Sequence, residues 1–165
     1  AEQLPSVKKK YLMHKDYAGV TMEQLKNDFG NDDWSELKCE TSASVWIENT
    51  GNRKFKIHEL PVAAQLAPIN SIVAEDVNGD GNIDLTIAGN EYQTATATRR
   101  YDASYGLFLK GNGNGVFTAV GGNSSGLIIG GDVKDLKIIS KKNNSKILLA
   151  APNNEKLKVF FVKPI

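Results

Sequence analysis

Asp76-Val77-Asn78-Gly79-Asp80-Gly81-Asn82-Ile83-Asp84 decides how the rest of the chain is read. Oxygen-bearing side chains stand at positions 1, 3, 5 and 9 of this short loop, with glycine at position 6. Alternate residues of a tight turn point inward, so Asp76, Asn78 and Asp80 are expected to converge. The Asn82 main-chain carbonyl and Asp84 would complete the cage. Oxygens alone suit a hard cation, and calcium, as a structural ion, is the expected cofactor. Gly81 permits the left-handed backbone that such a turn needs. Three carboxylates around a divalent ion leave roughly one negative charge, so the loop is expected to be strained without metal.

An EF-hand would need a bidentate Glu at position 12 and a helix on each side. Position 12 is Ile87, inside the apolar run Leu85-Thr-Ile87-Ala88 that ends at Gly89-Asn90. That run and the one before the loop, Ile69–Val77, read as strands. The plain alternative is a metal-free Asx-rich turn, since Asn-Gly and Asp-Gly are common hairpin signals.

The chain has 165 residues, 41% of them hydrophobic and 24% charged, which is ordinary for a globular domain with a real core. Twenty basic against nineteen acidic side chains leave a net charge of +1, so nothing global points to nucleic acid or to a membrane surface. Lys8-Lys9-Lys10 and Lys141-Lys142 are short enough to be solvated faces. Cys39 has no partner for an internal disulfide and is read as a small buried hydrophobe. No apolar run has the length of a membrane helix. The chain opens with Ala1 and shows no secretion signal, so a mature form or a piece of a longer protein is expected.

Residues 4–38 read as helical. Pro5 suits a first turn, with Leu4, Val7 and Tyr11 on one face. Thr21-Met-Glu-Gln24 is a capping box, with Val20 and Leu25 placed as a staple. Met22, Leu25 and Phe29 form a stripe that Gly30 ends, and Asp32, Asp33, Trp34 and Leu37 suggest one more turn. From Ser42 the period becomes that of strands. Ser44–Glu48 and Lys54–His58 form a hairpin through Asn49-Thr-Gly51-Asn52. Gly106–Leu109 and Val116–Val120 form another through Gly111–Gly115. Leu127–Ile129, Leu136–Ile139, Lys146–Leu149 and Leu157–Val162 follow as strands.

An internal echo runs through these strands. Trp46–Phe55 matches Phe108–Phe117, and the two Phe residues stand 62 positions apart. Glu75-Asp76-Val77 is matched with Gly131-Asp132-Val133, and on that alignment only Asp132 and Asp135 survive of the second cage. The strands fall into a partial set at 44–60, a full set of four at 69–120 with Glu91–Ser104 as an insertion, and a last set at 127–165. The expected fold is therefore mainly β: a partial β-propeller of about two to three four-stranded antiparallel blades over 41–165, behind a helical N-terminal segment or linker at 1–40. A closed propeller needs at least about four blades, so a larger parent or self-association through open blade edges is expected.

The loop Asp76–Asp84 resembles the calcium loop of FG-GAP and VCBS repeats, which integrin α-subunit propellers also use, and the turn Gly111–Phe117 resembles that family's Asn/Gly-rich turn before an aromatic residue. Leu60-Pro61, Ala64–Pro68, Gly89–Tyr92, Arg100–Gly106, Ser125-Gly126 and Gly131–Asp135 are similar to the C-terminal region of VCBS-repeat proteins of the ASPIC/UnbV, cartilage acidic protein-like, group common in Bacteroidetes. The resemblance implies Asp76, Asn78, Asp80, the Asn82 carbonyl and Asp84 as calcium ligands. It also implies a periplasmic, cell-surface or extracellular protein that presents loops to a protein or glycan partner without catalysis. Asn78 stands where aspartate is often found, which removes a charge. Ala95 and Ala97 make the insertion less acidic than in relatives.

The alternative is a carbohydrate-binding or carbohydrate-active propeller, with Tyr92, Arg99, Arg100, Tyr101 and Asp102 of the insertion lining a groove. No pair of carboxylates outside the loop stands out for glycoside chemistry, and charged loop residues are commonly plain surface. His14 and His58 have no evident nucleophile, and Cys39 is read as packing rather than paired with either. Gly111-x-Gly113-x-Gly115 lies in a strand–strand turn, whereas a phosphate cradle needs a following helix. Zinc clusters and basic aromatic stripes for nucleic acid are missing from the sequence.

Overall fold

Alternation of apolar and polar residues resolves into three separate antiparallel sheets. The computed structural model describes residues 5–30, 35, 37–95, 97–141 and 145–163. The chain divides into two units, Ala1–Thr41 and Ser42–Ile165.

Among its described residues the first unit holds three short helices, α1 (Pro5–Lys10), α2 (His14–Ala18) and α3 (Met22–Phe29). Pro5 opens α1, where its missing N–H is no loss. Thr21 caps α3 with a full capping box: its hydroxyl accepts from the Gln24 N–H, and the Gln24 side chain accepts from the Thr21 N–H. Val7 and Leu25 are buried, but Met22 is exposed, so the expected Met22–Leu25–Phe29 stripe narrows. Asp28 holds α3 to Tyr11 and Lys10 through a hydrogen bond and an ion pair. Leu37 is exposed and outside any helix, and the expected turn at Asp32–Trp34 lies outside the described residues, as does Leu4. Cys39 is exposed rather than buried, with its thiol donating to the Thr41 carbonyl at 3.1 Å.

In the second unit, β1 (Val45–Gly51) pairs with β2 (Lys54–Glu59). A four-stranded sheet runs in the order β3 (Ile69–Glu75), β4 (Asp84–Gly89), β5 (Leu107–Gly111), β6 (Phe117–Val120). After a four-residue helix, α4 (Gly122–Ser125), comes a sheet in the order β7 (Val133–Ser140), β8 (Lys146–Pro152), β9 (Lys158–Val162). Every neighbouring pair is antiparallel, and none of the three sheets closes on itself. No described helix is long and apolar enough to cross a membrane.

Every residue of β4 is buried, because both faces of the middle sheet are covered. Leu85 and Ile87 join Leu60, Ala64 and Leu109 in one core, against Trp46 of β1. Ala88, on the opposite face, joins Leu136, Leu148, Ile129 and Val133 in the other. Truncating any one of these leucines to alanine would cost about 2–5 kcal/mol. The outer sheets are covered on one side only. Ile47, Phe55 and Ile57 face outward from β1 and β2, and Ile139, Val159 and Phe161 from β7 and β9.

Two sequence expectations change here. Leu127–Ile129 is not a strand; it crosses from α4 to β7 in extended form, tied by the Ile129 N–H to the Tyr105 carbonyl, with Leu127 and Ile129 buried. Leu127 and Ile129 enter the core there while Ile128 between them is exposed. The Asp76/Asp132 echo is also out of register. Asp76 follows β3 at the head of the β3–β4 turn, whereas Asp132 precedes β7. The counterpart of 76–83 in chain order is the stretch between β7 and β8, 141–145, whose sequence carries no aspartate. So Asp132 and Asp135 are not remnants of a second cage.

Candidate metal centre

The pairing of Glu75 with Asp84 closes β3 and β4 at their ends, so residues 76–83 form the connecting loop. The loop is built from its own side chains. Asp76 accepts from the Gly79 N–H at 2.7 Å through Oδ1 and from the Gly81 N–H at 2.9 Å through Oδ2. Asn78 Oδ1 accepts from the Asp80 N–H at 2.8 Å, and Asp80 Oδ1 from the Asn82 N–H at 2.9 Å. These are successive Asx turns, in which a short polar side chain bonds the backbone two residues on. Gly79 and Gly81 stand at φ of 82° and 85°, the left-handed region that strains other residues.

Asp84 is wholly buried. Its Oδ2 accepts from the N–H groups of Val77 at 3.1 Å and Asn78 at 3.3 Å, and its Oδ1 from the Gly111 N–H at 2.9 Å. The carboxylate thus ties the start of the loop to the end of β5. Gly111 is required there: a Cβ would fall 2.0 Å from the Ile83 carbonyl oxygen. Asn82 turns its side chain against Gly113, so the loop and the 111–117 turn pack on each other.

Two lysines stand at the loop. Lys110 Nζ lies 3.1 Å from Asp80 Oδ2, with the Asn78 amide on the same oxygen at 3.1 Å. Lys146 donates to the Asp76 carbonyl and lies 3.5 Å from Glu75 Oε2. The Asn82 N–H, then Lys110, hold the Asp80 carboxyl below the usual aspartate range.

The donor set fits a hard cation, because it is made of carboxylate and amide oxygens with no nitrogen or sulfur ligand. A carboxylate offers about four acceptor sites, so each aspartate keeps capacity beyond its N–H partners. Lys110 already brings positive charge to the oxygen an ion would use. Among the described residues no three His, Cys, Asp or Glu side chains converge as a metal cluster; calcium, however, also takes amide and main-chain oxygens.

The insertion is pinned at its base. Glu91 and Tyr101 exchange backbone hydrogen bonds of 2.9 Å, and Arg100 lies over the Tyr92 ring at 4.8 Å. Tyr101 and Asp102 are exposed, and Arg99 has a φ of 24° with its carbonyl accepting from Thr94 Oγ1. Thr96 lies outside the described residues. Of the insertion residues singled out in the sequence, Tyr92 and Arg100 come together.

Sequence reasoning missed the part Asn90 plays and misread Asp132 as a cage remnant. Asn90 is buried at a φ of 90°, donates to the Ser104 and Gly131 carbonyls, and accepts from the Ser104 N–H. It staples both ends of the insertion to the start of the third sheet; Gly89-Asn90 was legible only as a strand end. Asp132 is buried, with Lys134 Nζ 2.8 Å from its Oδ1 in a contact that lacks hydrogen-bond alignment. Lys134 also reaches Glu91 at 3.1 Å. Asp132 foremost raises the Lys134 pKa, and the Gln93 N–H, then Lys134, lower that of Glu91. His58 stacks on Trp46 at 4.3 Å and meets Glu48 at 2.9 Å, which makes it a packed, paired side chain.

No protein-family model matches the sequence, and no curated protein or solved structure matches it at a significant level.

Proposed function

We propose that the chain is a calcium-stabilised part of a larger β-propeller of FG-GAP/VCBS type, belonging to an exported or surface protein and serving as a non-catalytic binding module. The observation that carries this reading is the stacking of the sheets. A middle sheet covered on both faces, flanked by sheets whose outward faces carry Ile47, Phe55, Ile57 and Ile139, Val159, Phe161, is what a run of blades cut from a longer ring would present. The ASPIC/UnbV resemblance adds an extracytoplasmic setting and a protein or glycan partner for the insertion.

Calcium would be held by Asp76, Asn78 and Asp80, with the Asn82 carbonyl, and would supply charge neutralisation at the β3–β4 turn. Asp84 then serves as the buried strut that fixes the loop to β5, whether or not a metal is bound. Extracellular calcium modules bind at roughly 10⁻⁴–10⁻³ M, and this loop belongs in that range. At a hundredfold excess over Kd the ion adds about 2.7 kcal/mol, or a rise of about 8 °C in Tm for a domain of this size. Thermal melts in calcium and in chelator test the reading, with Asp80→Ala as the control. Equal Tm values in both conditions would overturn it.

A further inference from the structure

We propose that the cleft between the middle and third sheets is a binding site for an amphipathic anion, with the apolar body between the sheets and the acid on Lys110. β3 and β7 lie side by side, and toward β6 and β9 the facing side chains leave a cleft of about 540 Å³. That volume falls within the roughly 300–1,000 Å³ of small-molecule sites. Its walls are Phe108 from the middle sheet and Leu148 and Phe160 from the third, with Leu127 beneath α4. Wall side chains of this kind bind through area removed from water and have no directional demand on the ligand.

Charge selects the head group. The charged residues among those lining the cleft are Lys110 and Lys163, and no acid is among the lining residues. Lys110 is half-exposed and already pairs with Asp80, but an ammonium has three donors, so it can meet a second carboxylate without leaving the first. The Ser124 and Ser125 segment adds neutral polar groups at the same cleft. A monocarboxylate with an unbranched alkyl chain matches this arrangement of apolar walls and a cationic end. The site needs no metal, so its failure would leave the calcium reading untouched.

Decanoate is the probe, titrated by calorimetry into the full chain in chelator, with decanol as the uncharged control. Saturable binding of decanoate is expected, at least about tenfold tighter than decanol, because a charge-assisted hydrogen bond separates the two. Lys110→Met should remove that difference by weakening decanoate alone. Val120→Trp, which fills the cleft from β6, should abolish binding of both, with circular dichroism confirming that each variant is folded. Equal binding of decanoate and decanol, an unchanged Lys110→Met variant, or no saturable binding to the unaltered chain would overturn the proposal. So would a dimer in sedimentation that Val120→Trp converts to monomer, since a second copy would then own the cleft.

Discussion

Replacing Asp84 with alanine should destabilise the second unit severely, even in chelator. Three backbone N–H groups, those of Val77, Asn78 and Gly111, end on its two oxygens, and the side chain is wholly buried. Alanine removes the acceptors and leaves those donors facing a small void. A buried donor that loses its partner costs about 1–3 kcal/mol. The contacts at 3.1 and 3.3 Å are long and share one oxygen, so they count as the weaker pair, while the 2.9 Å bond to Gly111 is the stronger. The sum is about 3–5 kcal/mol, a large share of the roughly 5–15 kcal/mol that holds a domain together. Urea unfolding followed by circular dichroism, in chelator throughout, isolates this term from any metal. A loss below about 1 kcal/mol would refute the strut.

Other outcomes follow from the same contacts. Gly111→Ala should cost about 3 kcal/mol or more, because its Cβ would meet the Ile83 carbonyl at 2.0 Å, whereas Gly121→Ala, with open space around it, should be nearly neutral; urea midpoints compare the two. Lys110→Met should tighten calcium binding a few-fold by removing the cation at Asp80, read by titration calorimetry, and unchanged affinity would count against an ion at that oxygen. Glu91 is held below its ordinary value of 4.5 by the Gln93 N–H and Lys134, with Asp132 on the far side of that lysine. Its contribution is therefore full above that ordinary value and lost as pH falls through the depressed one. Glu91→Gln should flatten the acid limb of a stability profile below about pH 4.5, and a limb as steep as before would show that the pairing is idle.

The strand sets were readable because period-two alternation and Asn/Gly turns are local signals. Partial, full and last sets at 44–60, 69–120 and 127–165 became sheets of two, four and three strands. The capping box at Thr21 was equally local. Within the helical reading of 4–38, the starts at Pro5 and Thr21 and the stop at Gly30 stand in the structure, while the short helix His14–Ala18, ended at Gly19, had no signal of its own in the sequence. Leu127–Ile129 failed as a strand because a short apolar run with alternate residues buried does not say whether a partner strand lies beside it.

At the loop, spacing treats Asp76, Asp80 and Asp84 as equivalent oxygens. The fold separates them. Asp84 lies at the base of β4 and meets Gly111, twenty-seven residues away in sequence, which no local pattern announces. Asn90 was hidden for the same reason: its partners at Ser104 and Gly131 are brought to it by the sheet and by the chain entering β7. The false echo at Asp132 shows how a dipeptide match ignores whether a residue ends one strand or precedes another.

The central claim is that Asp76–Asp84 holds a structural calcium ion, and calorimetric titration of calcium into chelator-treated protein tests it most directly. The account predicts a single saturable site with a Kd of roughly 10⁻⁴–10⁻³ M, abolished when Asp76 and Asp80 are both changed to alanine. No saturable heat up to about 10 mM calcium, or the same isotherm from the double variant, would contradict it.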